Sequence, residues 1–200
     1  GGVEDGGCRC IVEMETDGGV KGLGETLGGT PTKAIIDGDV APMFLGEDPF
    51  HTEAILAKTL FVPFYYGKAG LCAIAALEMA CWDLKAKAID RPLCDLLGGR
   101  LRDEVSFASY IFYRHPDAEG RGRVSNVDEV VAYTIDLHKH FDFPAIKFKG
   151  GVLPPEEEVA ALRALRLAFP EKKLRYDPNA ILSAATSIRI GKLIEPLDIE

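Results

Sequence analysis

An α/β protein in two parts is the fold class this sequence predicts: an α+β region over residues 1–102, then a strand–helix alternating region over 103–200. Three observations predict it. From Cys8 to Thr16 the chain alternates, with Cys10, Val12 and Met14 set against Arg9, Ile11 and Glu13, and Asp17-Gly18-Gly19 turns it back into Gly22 to Thr26 as a hairpin. Gly70 to Lys87 carries Leu71, Ile74, Ala75, Leu77, Ala80, Cys81 and Leu84 around most of a helix, so one long buried helix is expected. After Arg102 strand and helix patterns take turns, which implies parallel strands joined by crossovers.

The remaining elements follow in order. Pro31 to Leu45 has helical spacing, and Asp48-Pro49 introduces a second helix over Phe50 to Leu60. Pro92 to Leu97 reads as a short helix stopped by Gly98-Gly99. Val105 to Tyr113 is aromatic and β-branched, hence a strand, and Asn126 to His140 is a helix capped by Ser125 or Asn126. Ala145 to Lys149 is a strand. Pro154 to Phe169 is a helix whose Glu156, Glu157 and Glu158 favour the positive end of its dipole. Leu174 to Asp177 is a strand, Ser183 to Ile194 a helix, and a fourth strand opens at Leu197. Periodicity leaves an open doubly wound sheet and a barrel as equal alternatives.

Composition excludes several classes. A net charge of -8 with pI near 5.1 and no basic run argues against nucleic acid, which needs a basic surface. No apolar stretch approaches the roughly 20 residues of a membrane span, and no signal peptide pattern opens the chain, so a cytoplasmic protein is expected. Cys8, Cys10, Cys72, Cys81 and Cys94 lack C-x-x-C spacing and read as reduced thiols. Gly1 is not an initiator methionine, and Leu197-Asp198-Ile199 reads as a strand just beginning, which predicts truncation at both ends.

Chemistry gathers where parallel strands end, because the following loops stand on a rigid scaffold. Lys147 and Lys149 share one side of a strand at a period of two. A neighbouring positive charge and partial burial disfavour a lysine's charged form, the condition for a lysine general base. Asp177, at the end of the next strand, offers a hard oxygen to a cation, and Asn179 an amide. Taken singly, the lysines fit a solvated edge and Asp177-Pro178-Asn179 a common turn. Together they set a base and a cation ligand on one face, as abstraction of a proton next to a carboxylate requires.

Four segments in order, Ile11 to Gly24 (IVEMETDGGVKGLG), Ala76 to Gly99 (ALEMACWDLKAKAIDRPLCDLLGG), Lys147 to Gly151 (KFKGG) and Asp177-Pro178-Asn179, resemble the mandelate racemase and glucarate dehydratase branch of the enolase superfamily. The resemblance implies an N-terminal α+β capping domain over 1–102, its first strand missing, followed over 103–200 by the first three to four units of a modified TIM barrel. It further implies Mg²⁺, with Asp177 as first metal ligand, Lys149 as base and Lys147 on the substrate carboxylate. Ile146 to Val152 and Ser109 to Tyr113 are most similar to the glucarate dehydratase group, which makes Tyr110 a substrate-binding candidate, beside Asn179 with its amide and Lys147. The implied activity is acid-sugar dehydration on a small-molecule carboxylate, by a protein that is a homo-oligomer at full length and inactive as this piece. A racemase or epimerase of the same branch and a non-catalytic relative are the alternatives.

Departures qualify the match. A threonine of the glucarate dehydratase group is Ala75 here, and Ala180-Ile181-Leu182 stand where glycine and tryptophan are expected. Further metal ligands and a histidine-aspartate dyad are expected beyond Glu200. Glu78 and Asp83 are expected to partner backbone or arginine groups between domains, His115 to sit in a surface loop, and His138 and His140 to bind no metal.

Overall fold

Two strands packed backbone-on-backbone against a helix organise the first part of the molecule. The computed structural model describes residues 9–200, so Cys8, where the alternation begins, lies outside the described residues. The chain divides into two compact units between Asp103 and Glu104. In the first, β1 (Arg9–Glu15) pairs antiparallel with β2 (Lys21–Leu27), Glu15 opposite Lys21. The turn closes when Thr16 N–H donates to Val20 O at 3.0 Å, with Gly19 at φ +80°. Cys10, Val12 and Met14 face the core, while Ile11 is exposed.

Gly22 and Gly24 are buried on β2, and neither is a turn glycine. A Cβ on Gly24 would collide with the carbonyl oxygen of Ala76, and one on Gly22 with that of Ala80. Both carbonyls belong to the long helix that contains Ala76 and Ala80, α4 (Val62–Ala88). Before it run α1 (Thr30–Ile35), a π-helical turn (Ile36–Val40), α2 (Ala41–Phe44), a 3₁₀ turn (Pro49–His51) and α3 (Thr52–Lys58). The single helix expected from Pro31 is thus interrupted by a wider turn. α4 (Val62–Ala88) starts earlier than its apolar pattern, with Gly67 breaking the helical dihedrals at φ +53°, and α5 (Leu93–Leu96) follows. The buried residues Ala73, Ala76, Leu77, Ala80, Cys81 and Leu84 form the α4 stripe against the hairpin, at helical spacing. Asp83 accepts the N–H of Leu23 at 2.8 Å, and Lys87 donates to Lys21 O at 2.9 Å. Glu78 accepts from Trp82 Nε1. Contrary to the expectation of partners between domains, both acids are satisfied within the first unit.

In the second unit β3 (Ala108–Phe112), β4 (Ala145–Lys149) and β5 (Lys173–Asp177) are parallel, in the order β3-β4-β5. The expected strand from Val105 begins only at Ala108. The crossovers carry α6 (Val127–His140) and α7 (Pro155–Ala168), and α8 (Ala184–Ile194) follows β5. A single parallel bridge, Leu174 to Ile199, is all that forms of the expected fourth strand, and Leu197 sits in a 3₁₀ turn instead. Ile111, Ile146, Phe148 and Leu174 bury one sheet face beneath Val130, Ala161, Leu162 and Leu165. Strands laid down consecutively with helices on one face match a barrel segment, whereas a doubly wound sheet reverses direction and covers both faces. No described helix is long and apolar enough to cross a membrane.

α6 begins with a reciprocal cap. Asn126 Oδ1 accepts the N–H of Glu129 at 2.9 Å, while the Glu129 carboxylate reaches back to Ser125 N–H at 2.8 Å. Arg123 pairs with it, and together these donors hold the Glu129 carboxyl down to about 2.

Adding a methyl at Gly24 (Gly24→Ala) is expected to cost about 1–3 kcal/mol, because backbone cannot yield as a side chain does, measurable by urea denaturation. Glu129 contributes stability at pH values above the ordinary 4.5 that is lost as pH falls toward 2. Glu129→Gln should therefore lower Tm near neutrality, and the gap from wild type should close on acidification.

Candidate active site at the strand ends

The register of β4 against β5 sets Lys149 opposite Asp177, both at the last residue of their strands. Because Phe148 is fully buried on the helix side, the alternation turns Lys147 and Lys149 to the other face. Tyr110 is in register with Lys147 and shares that face. Lys149 Nζ donates to Asp177 Oδ2 at 2.6 Å, and Lys147 Nζ lies 3.0 Å from the same oxygen. The Lys149 side chain is 18% exposed against 37% for Lys147, so Lys149 is the more enclosed. The Tyr110 ring centroid lies 5.9 Å from Lys147 Nζ.

The Lys149 ammonium, the Asn179 N–H and the Lys147 ammonium hold the Asp177 carboxyl far below the usual carboxylate range. Asn179 N–H donates to Asp177 Oδ1 at 3.0 Å while the residue itself is exposed at φ +56°. Asn179 thus meets the site through its backbone. Two ammonium groups on one carboxylate leave a net positive mouth, suited to an anion. Below this layer Glu200 pairs with Lys173 at 2.8 Å and Arg175 at 2.6 Å, away from the Asp177 cluster. His115 is exposed after β3, and His138 Nε2 bonds the Ser109 hydroxyl at 2.9 Å.

For a divalent cation, Asp177 is a fitting hard oxygen at a strand end. Among the described residues no cluster of three His, Cys, Asp or Glu side chains could form a complete metal cage. Two hollows among the described residues, of about 770 and 900 Å³, lie in the first unit, one along Cys10 to Gly18 and one beside Trp82 and Leu97, and neither contains the strand-end lysines and Asp177.

Sequence reasoning missed Glu158 and Tyr176. Glu158, read as a dipole partner of α7, is 1% exposed and buried among apolar residues. Its carboxylate accepts the N–H of Gly151, Val152 and Leu153 at 2.9, 2.9 and 3.0 Å, and the Tyr176 hydroxyl at 2.5 Å. Burial and this bond push the Tyr176 hydroxyl pKa up. The missed signal was spacing: Glu158 shares a helix face with Ala161, Leu162 and Leu165.

Residues 8–98 match the family described as mandelate racemase / muconate lactonizing enzyme, N-terminal domain, and residues 127–200 match enolase C-terminal domain-like. A probable glucarate dehydratase of Streptomyces coelicolor is 34% identical, over 95% of this chain and 51% of its own length. A D-galactarolactone cycloisomerase of Agrobacterium fabrum is 30% identical, over 90% and 47%. Among solved structures, an enolase from Pseudomonas fluorescens with bound magnesium, potassium and tartrate is 36% identical with a TM-score of 0.83, over 96% of this chain and 50% of that one. One from Thermobispora bispora, complexed with magnesium and formate, is 36% identical with a TM-score of 0.84, over 94% and 49%. The chain spans about half the length of the curated relatives it matches.

Asp177→Asn leaves the two lysines without their shared counter-charge. The resulting loss in Tm should be larger at low ionic strength than in molar salt, where repulsion is screened, as calorimetry at both salt levels would read.

Proposed function

The chain belongs to the mandelate racemase / muconate lactonizing enzyme family of the enolase superfamily, and from that premise we propose that the whole protein is a magnesium-dependent acid-sugar dehydratase. The observation that carries the reading is the convergence of Lys147 and Lys149 on Asp177 at parallel strand ends. Relatives named as glucarate, mannonate and arabinonate dehydratases support this substrate class.

In this reading Lys149, in its neutral form, takes the proton from the carbon next to the substrate carboxylate. The C–H electron pair moves onto the carboxylate, then returns to form the Cα–Cβ double bond as the Cβ–O bond breaks, and the β-hydroxyl leaves as water with the proton that Lys149 took. Lys147 meets the carboxylate oxygens with its ammonium, and Tyr110, stacked near Lys147, borders the sugar chain. Asp177 would hold Mg²⁺, which supplies positive charge to the developing dianion. Among the described residues no further His, Cys, Asp or Glu side chains join Asp177 in a metal cage, so the reading is of the whole protein and not of these residues alone.

A cycloisomerase or racemase reading shares the first step, and the galactarolactone cycloisomerase relative favours keeping it as the second reading. Product analysis separates the two, because only dehydration releases water.

Lys149→Ala in the whole protein should cut exchange of the α-proton with solvent deuterium by about 10²–10⁴-fold, the usual worth of a positioned base. Undiminished exchange by NMR would remove Lys149 from the role. Magnesium titration tests the non-catalytic alternative: a relative without activity would keep the fold and bind no ion.

A further inference from the structure

Lys149 is followed by a loop, Gly150 to Leu153, whose N–H groups at Gly151, Val152 and Leu153 turn toward Glu158 of α7. What holds it there is a single buried carboxylate. Glu158 Oε2 accepts from Gly151 N–H and the Tyr176 hydroxyl, and Oε1 accepts from Val152 and Leu153 N–H. Four donors complete its acceptor capacity, so the charge is satisfied by amide dipoles and a phenol without any cation.

The loop sequence fits this clamp. A Cβ on Gly150 would collide with the Glu158 carboxylate and the Tyr176 ring, and Gly151 stands at φ +85° against Pro178 O. Gly150 N–H also donates to Asp177 O at 3.0 Å. Both residues are therefore tied to the same group through nearby chain: Lys149 through Gly151, two residues on, and Asp177 through the adjoining Tyr176.

We infer that Glu158 is a positioning residue, whose carboxylate pins the loop after Lys149 to the strand that ends in Asp177 and so sets the approach of these two side chains. What it positions them for rests on the function proposed above. Glu158→Gln keeps the shape but swaps one acceptor oxygen for a donor, which then faces an N–H or must reverse its bond with Tyr176. The loop loosens, and Lys149 and Asp177 lose their fixed approach.

The test uses the full-length protein that carries this chain, with amine acetylation read peptide by peptide in a mass spectrometer. Lys139, exposed on α6, is the internal reference. Glu158→Gln should raise labelling of Lys149 relative to Lys139 about fivefold or more, with magnesium affinity weakened about tenfold at unchanged stoichiometry, as for groups that orient a ligand. Tyr176→Phe removes one donor of four and should shift the labelling ratio in the same direction by about twofold, so the inference is testable even if the glutamine variant fails to fold. A ratio equal to wild type in whichever variants fold overturns it. So does a uniform rise at every buried lysine, which would mark Glu158 as purely structural. A wild-type protein that binds no magnesium sinks the functional reading alone, because the labelling ratio needs neither metal nor substrate.

Discussion

The level ending of β4 and β5 is the constraint on which the site depends. Lys149 opposes Asp177 because the parallel register runs from Ala145 against Lys173 without a bulge, and every side chain between them alternates. A slip of one residue would carry Lys147 and Lys149 to the face now filled by Ile146 and Phe148, at the cost of burying two ammonium groups among apolar side chains. The apolar face therefore enforces the polar one. Phe148, wholly enclosed between two lysines in sequence, makes the alternative register untenable.

The first unit uses a different principle. There the strand backbone rests on the helix backbone, with Gly22 and Gly24 against Ala76 and Ala80, so closeness replaces side-chain interdigitation. Asp83 and Lys87 then satisfy backbone groups of Leu23 and Lys21 that the hairpin leaves unpaired. A helix that is apolar nearly all round can still carry two charges there, because each meets a backbone partner.

Much of this was legible in the sequence, and the rest was hidden for physical reasons. The hairpin, the long helix and the β3-β4-β5 alternation follow from periodicity, and strand ends identify Lys147, Lys149 and Asp177 as neighbours in space. What periodicity could not supply was the choice between barrel and open sheet, which depends on strand order. Nor could it tell a strand glycine that permits contact from one that turns the chain, so Gly22 and Gly24 read only as part of the returning strand. Glu158 was misread because an acid in a helix's first turn has two explanations, dipole and burial. Its place on the face of Ala161, Leu162 and Leu165 was the deciding clue. Asn179 shows the converse: its side chain suggested a ligand, while its N–H does the work of holding Asp177 Oδ1.

Convergent backbone amides beside a helix's first turn are a recurrent cradle for phosphate groups. Here that cradle is already occupied by the chain's own carboxylate, with the N–H groups of Gly151, Val152 and Leu153 all engaged. A phosphorylated sugar would find no free donor among these three and would meet a fixed negative charge behind them. Those three amides are therefore closed to an incoming anion, and the positive charge at the strand ends is that of Lys147 and Lys149 beside Asp177.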